Sequence, residues 1–329
     1  MKDEGTSILN KSLSKVVNFG KQQGLLLAFV ALVVFFSVTA SGRFFTTLNL
    51  TLVLRQISIW GVIACGMTLV IVSGHWDLSV GSLTSLTTVV VITMHDAIGP
   101  IPAIIIAVLV GLVSGTISGY LVGYQKLNSL IITLGMMGVL QAVTLIYTGG
   151  TYSRIVEPEE TWFSFIGRGF IGKIPFPVII LAVVGIIFTI LLTRTTYGRR
   201  VRAVGGNPVA SKFTGIRESF VVMSTFMLTG VLTGLGGVML GSRMMAAQNA
   251  IGSGYEFQVI TGVILGGTSL TGGEGSIPKS IIGIVIIGML NNWFILMGMQ
   301  YYFQWTAQWV IILVVVWIDV ASKRASAIE

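Results

Sequence analysis

The sequence predicts an all-α integral membrane protein with about ten transmembrane helices and both termini in the cytoplasm. The first observation is composition: 53% of the 329 residues are hydrophobic and 10% are charged, and the mean hydropathy is +0.90. The second is a succession of apolar stretches, each about 17 to 25 residues long and able to cross a bilayer as a helix. Strand alternation of the length found in membrane barrels is absent. The composition does not fit a soluble domain.

We predict ten spans in chain order, forming a single transmembrane domain over residues 24–321. The segments 78–95 and 256–272 are short and rich in Ser, Thr and Gly, so a full crossing and a re-entrant or broken helix both fit them. Residues 1–23 are expected to be a cytoplasmic segment without a cleavable signal peptide, and residues 322–329 a cytoplasmic tail. The predicted spans are 24–41, 50–73, 78–95, 101–124, 128–148, 175–193, 219–242, 256–272, 277–297 and 303–321.

The distribution of lysine and arginine gives an independent test of this topology. With ten spans and a cytoplasmic N-terminus, 14 of the 20 basic residues fall inside and five outside, while Arg55 lies within a span. Cytoplasmic loops of membrane proteins carry such an excess of positive charge. The net charge of +8 is therefore accounted for without a nucleic-acid partner, and membrane lipid is the expected environment.

Two segments between the spans are long enough to have structure of their own. In the external segment 149–174, the acidic run 157–160 beside Trp162 and Phe163 predicts a short interfacial helix, which either docks a partner or caps the bundle. In the cytoplasmic segment 194–218, GGNP predicts a turn and PVASKF a short helix, with Asn207 as its N-cap and Pro208 at its first position. Gly215 is expected to end that helix. An ordinary basic loop is the alternative.

Sequence motifs for catalysis are absent. The chain has no H-E-x-x-H, G-x-S-x-G or P-loop sequence, two histidines and one cysteine, Cys65. We therefore expect no catalytic site, metal or cofactor in this chain. Acidic residues are also scarce within the spans, which argues against coupling to protons or sodium ions. Most of the 41 glycines are expected to permit close helix packing.

The stretch SGHWDLSVGS at 73–82 interrupts the apolar pattern at the inner end of the second span. Gly74 and Gly81 would permit a break in the helix there. The Asp77 carboxylate would act as N-cap of a helix beginning at Leu78, accepting hydrogen bonds from its free N–H groups. Contact between Asp77 and a transported molecule is the alternative.

Four motifs together resemble one protein family. GMTLVIVSGHWDLSVGS (66–82), TLGMMGVLQAVTLIYTGG (133–150), RTTYGRRVRAVGGNPVASKFTGI (194–216) and LGGTSLTGGEGSI (265–277) resemble, in the same order, segments of the permease subunits of bacterial ATP-binding-cassette importers for ribose, galactose, xylose and arabinose. The chain departs from the usual pattern at His75 and Trp76, which replace a Gly-Ile pair, and at Gln141, where an arginine is often found. These departures leave the identity of the sugar open.

The resemblance implies a type II importer fold, like that of the vitamin B12 permease, in the bacterial inner membrane. It also implies three partners: a tandem ATPase that binds ATP and magnesium, an external or periplasmic sugar-binding protein, and a second permease copy, expected to be identical. Segment 194–218 then becomes the ATPase-coupling loop. The residues assigned to coupling are Gly198, Arg199, Asn207, Pro208, Ala210, Phe213 and Gly215.

Import of a monosaccharide, with a pentose such as ribose first, is the expected function. Polar residues of the spans are expected to line the pathway for its hydroxyl groups, namely Gln141, Thr268, Ser269, Asn291 and Asn292. The alternatives are import of a furanosyl signalling molecule or nucleoside by the same machinery, an ion-coupled secondary sugar transporter, and a membrane scaffold or receptor that does not transport.

Overall fold

The computed structural model describes residues 29–40, 42–156 and 161–300, together with 302–307, 309–311, 313, 314 and 317. The predicted N-terminal segment 1–23, the predicted tail 322–329 and the acidic run 157–160 lie outside the described residues. Within the described part, the chain is mainly helical, as the sequence predicts.

The described part contains twelve helices, and residues 302–307 continue in helical conformation after them. Six of the twelve are long and apolar enough to cross a membrane: α2, α4, α5, α7, α10 and α12. The helices are α1 (Phe29–Thr39), α2 (Thr47–Val72), α3 (Val80–Ile98), α4 (Pro100–Gly123), α5 (Ser129–Thr148), α6 (Ser164–Arg168), α7 (Phe176–Arg194), α8 (Thr196–Gly206), α9 (Pro208–Phe213), α10 (Glu218–Met244), α11 (Tyr255–Leu265) and α12 (Ile277–Leu296).

Four two-residue strands complete the described fold. β1 (Ser153–Arg154) pairs antiparallel with β4 (Ala246–Ala247), and β2 (Phe170–Ile171) pairs antiparallel with β3 (Ile174–Pro175). Together with α6 they fold the segment predicted as an external loop onto the end of α10. The short helix predicted in this segment is present as α6, and it follows a Phe163 side chain that is fully buried instead of lying at the surface.

The predicted helix ends need correction at two places. The span predicted at 256–272 ends at Leu265 because the following segment contains Gly267, Gly272 and Gly273 with φ angles of +83°, +87° and +81°, which a right-handed helix does not accommodate. The helix predicted to start at Leu78 starts at Val80 and continues to Ile98. At 11 residues, α11 is shorter than the roughly 20 residues needed to cross a bilayer.

The core of the bundle surrounds α2. Its residues from Ile57 to Val72 are all buried, on every side of the helix, because α7, α10, α11 and α12 pack around it. A helix that is apolar on all sides is stable only when other helices or lipid enclose it. α2 is therefore the central element of the described fold, and Cys65 lies buried within it.

Glycines bring α4 and α10 into backbone contact. A Cβ added to Gly111 would meet the carbonyl oxygen of Gly230, and one added to Gly230 would meet the carbonyl oxygen of Gly111. Gly115, Gly119 and Gly123 continue this buried stripe along α4 at intervals of four residues. The close packing expected from the glycines is confirmed here.

The long helices define two ends of the bundle. At one end lie α8, α9, Val72 of α2 and the first turn of α10, and we call it the α8–α9 end. At the other lie α6, the first turns of α2 and the last turn of α10. A hydrogen bond of 2.7 Å from the Gly167 N–H to the Ser242 hydroxyl joins α6 to α10. We call it the α6 end.

Candidate functional site

Helix α8 covers the first part of segment 194–218, for which the sequence predicts a turn at GGNP but no helix. Its N-cap is Thr195, whose hydroxyl accepts a hydrogen bond from the Gly198 N–H at 3.2 Å. Gly198, Val201, Val204 and Gly205 face the bundle and are buried. Their spacing of three and four residues is the period of a helix with one buried side. This spacing is visible in the sequence and could have predicted helix α8.

Burial raises the pKa of the Tyr197 phenol on α8, and the hydrogen bond with the Ser224 hydroxyl acts in the opposite direction. The two oxygen atoms are 2.9 Å apart. A neutral phenol therefore joins α8 to the first turns of α10.

Helix α9 agrees with its prediction residue by residue. Asn207 is the N-cap, its side-chain oxygen accepts from the Ala210 N–H at 2.9 Å, and Pro208 is the first helical residue. Gly215 has a φ of +78° and donates its N–H to the Lys212 carbonyl, in the glycine-terminated ending that is frequent at helix C-termini. The predicted helix is confirmed.

Two large apolar side chains of α9 are exposed. Phe213 is 86% exposed and Val209 is 67% exposed, while Arg199 on the preceding helix is also exposed. Because exposed aromatic side chains at the end of a bundle favour docking into a partner's pocket, the α8–α9 pair has the form of an attachment point.

A junction of four glycines fixes α8 to the bundle. We call Gly74, Gly205, Gly272 and Gly273 the glycine junction. A Cβ on Gly205 would meet the carbonyl oxygen of Val72 and the backbone nitrogen of Gly273, which themselves form a hydrogen bond of 2.8 Å. Backbones from α2, α8 and the α11–α12 connection thus touch directly, with no side chains between them.

A further contact supports this junction. The Arg202 guanidinium donates to the Gly275 carbonyl at 3.0 Å, so that α8 also holds the α11–α12 connection through a side chain.

The segment 73–79 leads from the glycine junction into the bundle as irregular backbone. The Trp76 N–H donates to the Ser129 hydroxyl at 3.2 Å, and the Leu78 N–H donates to the Thr133 hydroxyl at 3.1 Å. Both hydroxyls belong to α5, so α5 supplies the hydrogen bonds that a helical backbone would have made internally. Such satisfaction is required for non-helical backbone at membrane depth.

Asp77 has a different position from the predicted one. Ser79, and not Asp77, occupies the N-cap position of α3. The buried Asp77 carboxylate accepts from the Ser79 N–H at 2.9 Å and from the Ser79 hydroxyl at 2.6 Å. It therefore organises the turn before α3. Gly74, with a φ of +85°, is the residue at the break, while Gly81 lies inside α3 where a Cβ would meet the Glu256 carboxylate.

A cavity of about 720 Å³ opens near the α6 end. It lies between the first half of α2, the end of α10, the start of α11, the second half of α12 and the helical residues after 301. Asn291 and Asn292, both predicted to line a pathway, are in its wall. The lining residues are Arg43, Thr46, Leu48, Asn49, Leu52, Val53, Gln56, Trp60, Arg243, Tyr255, Gln258, Gly288, Asn291, Asn292, Ile295, Leu296, Gln304 and Trp305.

Amide side chains connect the helices around this cavity. Asn49 and Asn292 exchange two hydrogen bonds, with the Asn49 Nδ2 to Asn292 Oδ1 distance at 2.9 Å and the reverse at 2.7 Å. Asn291 donates to the Gln258 side-chain oxygen at 3.0 Å. Because amides both donate and accept, they can bind hydroxyl groups of either polarity.

An arginine and two aromatic rings form another part of the wall. Arg243 donates to the Gln56 side-chain oxygen at 2.6 Å, and the Gln56 amide donates to the Tyr255 hydroxyl at 3.2 Å. The Tyr255 ring meets the Trp60 ring edge to face, with centroids 5.6 Å apart. An apolar pocket with a few convergent polar groups is the usual form of a small-molecule site.

The other residues predicted for the pathway lie outside this cavity. Gln141 donates to the Asn249 carbonyl at 2.8 Å. Thr268 is fully buried beside the Ser280 hydroxyl, and Ser269 contacts Thr271 at the α8–α9 end. The structure thus brings only the two asparagines of that set together.

Several cavity residues were not identified from the sequence. Asn49, Gln56 and Trp60 lie on one side of α2 at intervals of seven and four residues, with Val53 between them. This polar and aromatic stripe on an apolar span could have identified the three residues from the sequence. Tyr255, Gln258 and Arg243 become recognisable only once the helices are packed.

The α6 end also carries a cluster of arginines. Arg55 donates to the Arg168 carbonyl and lies over the Phe170 ring, with its guanidinium carbon 4.9 Å from the ring centroid. Arg168 in turn donates to the Arg243 carbonyl at 2.6 Å. Within the described part of the chain, none of the three forms a salt bridge with an acidic side chain. Among the described residues, the positive charge of this cluster has no acidic partner.

Six described helices long enough and apolar enough to cross a membrane define the class as a multi-pass membrane protein. The chain belongs to the family described as "Branched-chain amino acid transport system / permease component", whose model matches residues 49–318. Relatives in this family are permeases and not enzymes in themselves.

Three similar proteins are named for sugars. The ribose import permease protein RbsC of Bacillus subtilis (strain 168) is 40% identical, covering 84% of this chain and 86% of that protein. RbsC of Escherichia coli (strain K12) is 36% identical, covering 91% and 93%. The xylose transport system permease protein XylH of the same strain is 29% identical, covering 92% of each chain. No solved structure matches the chain.

Proposed function

We propose that the chain is the membrane-spanning permease subunit of an ATP-driven importer for a monosaccharide, with ribose as the first candidate. The observation that carries the proposal is the placement of a cavity with convergent amide and arginine side chains at one end of the bundle and an exposed helix pair at the other, where the glycine junction joins that pair to the bundle. The ribose permeases that the chain resembles at 40% and 36% identity support the substrate.

The proposed topology has ten membrane segments in the plasma membrane, with both termini in the cytoplasm. Because α11 is too short to cross alone, its crossing includes the segment 245–254 that precedes it. The described helices α1 to α5, α7, α10, α11 and α12 coincide with nine of the ten predicted segments within a few residues, apart from the early end of α11. The tenth corresponds to the helical residues from 302. The excess of Lys and Arg supports an orientation with the α8–α9 end inside and the cavity outside.

The exposed side of α9 is the proposed contact for a separate ATPase. The chain itself has no P-loop, so the ATP and magnesium would be bound by that partner. Phe213 and Val209 would insert into a pocket on the surface of the ATPase. Movement of α8 would then reach α2 and the α11–α12 connection through the glycine junction.

The α6 end is the proposed contact for a sugar-binding protein. Arg55, Arg168 and Arg243 have no acidic partner among the described residues. They favour an acidic surface on the binding protein, because complementary charge accelerates and orients association. Since Arg243 also lines the cavity, a protein docked here would release its sugar beside the proposed pathway.

A second copy of the chain is the proposed neighbour of α5. A Cβ on Gly135 or Gly138 would meet nothing within 4 Å, and most of α5 is exposed. Exposed glycines on a membrane helix permit close approach by another helix. Cysteine crosslinking at Gly135 in native membranes tests this part, and absence of a disulfide-linked dimer would argue against it.

The decisive experiment is reconstitution of the chain with its ATPase and binding protein in liposomes. Uptake of labelled ribose that requires internal ATP and is blocked by vanadate is the expected result. Uptake that persists without ATP and stops when ionophores dissipate the ion gradient would favour a secondary transporter. Comparison with xylose and a nucleoside under the same conditions separates the substrate alternatives.

A further inference from the structure

A second pocket lies at the α8–α9 end, away from the cavity described above. Its volume is about 410 Å³, and it lies between the end of α4, α8, and the turn that joins α9 to α10. Its lining residues are Tyr124, Arg200, Gly215, Arg217, Phe220 and Val221.

The charge of this pocket is positive, since it contains two arginines and no acidic side chain among its lining residues. Arg200 and Arg217 are exposed, and neither guanidinium forms a hydrogen bond or a salt bridge with the described residues. The nearest acidic residue in sequence, Glu218, is already bound to Lys126 over 3.0 Å. Two arginines at one pocket favour an anion with several oxygen atoms, because a guanidinium binds phosphate through paired hydrogen bonds.

The aromatic residues place the pocket at the boundary of the bilayer. Tyr124 directly follows α4, and Phe220 is in the first turn of α10, so both stand where an apolar helix ends. They are 48% and 52% exposed, and Tyr124 stacks on Tyr120 with ring centroids 5.5 Å apart. Aromatic side chains at helix ends typically lie at the level of the lipid head groups.

We propose that this pocket binds the phosphate group of an anionic phospholipid such as phosphatidylglycerol. The two arginines would contact the phosphate, and the N-terminal end of α10 would add its positive partial charge. Tyr124 and Phe220 would contact the glycerol and the first part of the acyl chains. This apolar wall is the reason to expect a lipid and not free phosphate, and basic pockets at the cytoplasmic side of membrane helices commonly bind such head groups.

The test uses the full-length chain purified in detergent, with lipid binding followed by native mass spectrometry. The probes are phosphatidylglycerol, phosphatidylcholine as a zwitterionic lipid, and inorganic phosphate. We expect phosphatidylglycerol to be retained preferentially, and Arg200→Gln and Arg217→Gln each to weaken its binding about fivefold. Arg194→Gln is the matched control, since it removes one charge at the same end outside the pocket, and it should leave binding unchanged.

Several results would overturn the assignment. Equal retention of the two lipids would show that the pocket does not select an anionic head group. Equal loss of binding in the Arg194 control would show that the arginines act only through the overall positive charge of this end. Saturable binding of inorganic phosphate without lipid would identify a soluble anion instead. Normal lipid binding by the two variants combined with loss of ATPase co-purification would make the pocket part of the ATPase contact. Because the readout is lipid binding, it stays independent of whether the chain transports ribose.

Discussion

Asn49 near the start of α2 and Asn292 near the end of α12 bind each other through two amide hydrogen bonds, although 243 positions separate them in the chain. Asn49 also donates to the Phe44 carbonyl at 2.9 Å. The pair joins two helices at the wall of the cavity. Because the pair lies in the cavity wall, the packing of α2 against α12 affects the shape of the proposed pathway.

We predict that Asn49→Ala and Asn292→Ala each destabilise the protein and that their effects are not additive. After the first substitution the remaining amide has lost its partner, so the second costs less. For polar pairs between membrane helices the coupling averages about 0.6 kcal/mol and reaches about 1.7 kcal/mol. Unfolding by a denaturing detergent, measured on both single variants and the double variant, gives this number. Additive losses would show that the two amides act independently.

Substitution of two glutamines can test whether the sugar passes through the cavity or past Gln141, which the sequence predicted to line the pathway. Gln258 lines the cavity and Gln141 does not. We expect Gln258→Leu to lower ribose uptake about tenfold, since one lost hydrogen bond to the sugar costs about 1 to 1.5 kcal/mol. Gln141→Leu should change uptake less than twofold. Both are measured in proteoliposomes at equal protein levels, and the reverse order would move the pathway to the side of α5.

The exposed ring of Phe213 gives a prediction about the ATPase. Phe213→Ala should leave the folded chain intact, because the side chain is 86% exposed, but it should reduce co-purification of the ATPase at least tenfold, as for a central aromatic contact. Phe45→Ala is the control, since Phe45 is 54% exposed and lies near the opposite end of the bundle. Retention of a functional ATPase complex by the Phe213 variant would place the contact elsewhere.

Neighbouring glycines of α8 offer a test of the glycine junction. A Cβ on Gly205 would press on Val72 and Gly273, whereas one on Gly206 would come no nearer than 3.8 Å to Gly273. We expect Gly205→Ala to cost about 1 to 3 kcal/mol through overpacking and to uncouple ATP hydrolysis from uptake. Gly206→Ala should be nearly neutral in both assays. Thermal unfolding and the ratio of ATP hydrolysed to ribose imported measure the two effects, and identical behaviour of both variants would remove the junction from the mechanism.

Local features of the fold were predictable from the sequence, and long-range ones were not. The cap at Asn207 and the end at Gly215 depend on residues within one short helix, so their pattern is visible directly. The six long helices follow from the length of their apolar stretches. The cavity, in contrast, is assembled from α2, α10, α11 and α12, and no single segment contains the information about which polar residues meet. Gln141, Thr268 and Ser269 are as polar as Asn291, and only packing separates them.

The direct backbone contact among α2, α8 and the α11–α12 connection has a mechanical consequence. Side chains in an ordinary interface can change rotamer and absorb a displacement of a few tenths of an ångström. At Gly205 there is no side chain to adjust, and the 2.8 Å hydrogen bond from Gly273 to Val72 lies directly beneath it. The joint is therefore stiff, and a small shift of α8 must move its neighbours by a similar distance.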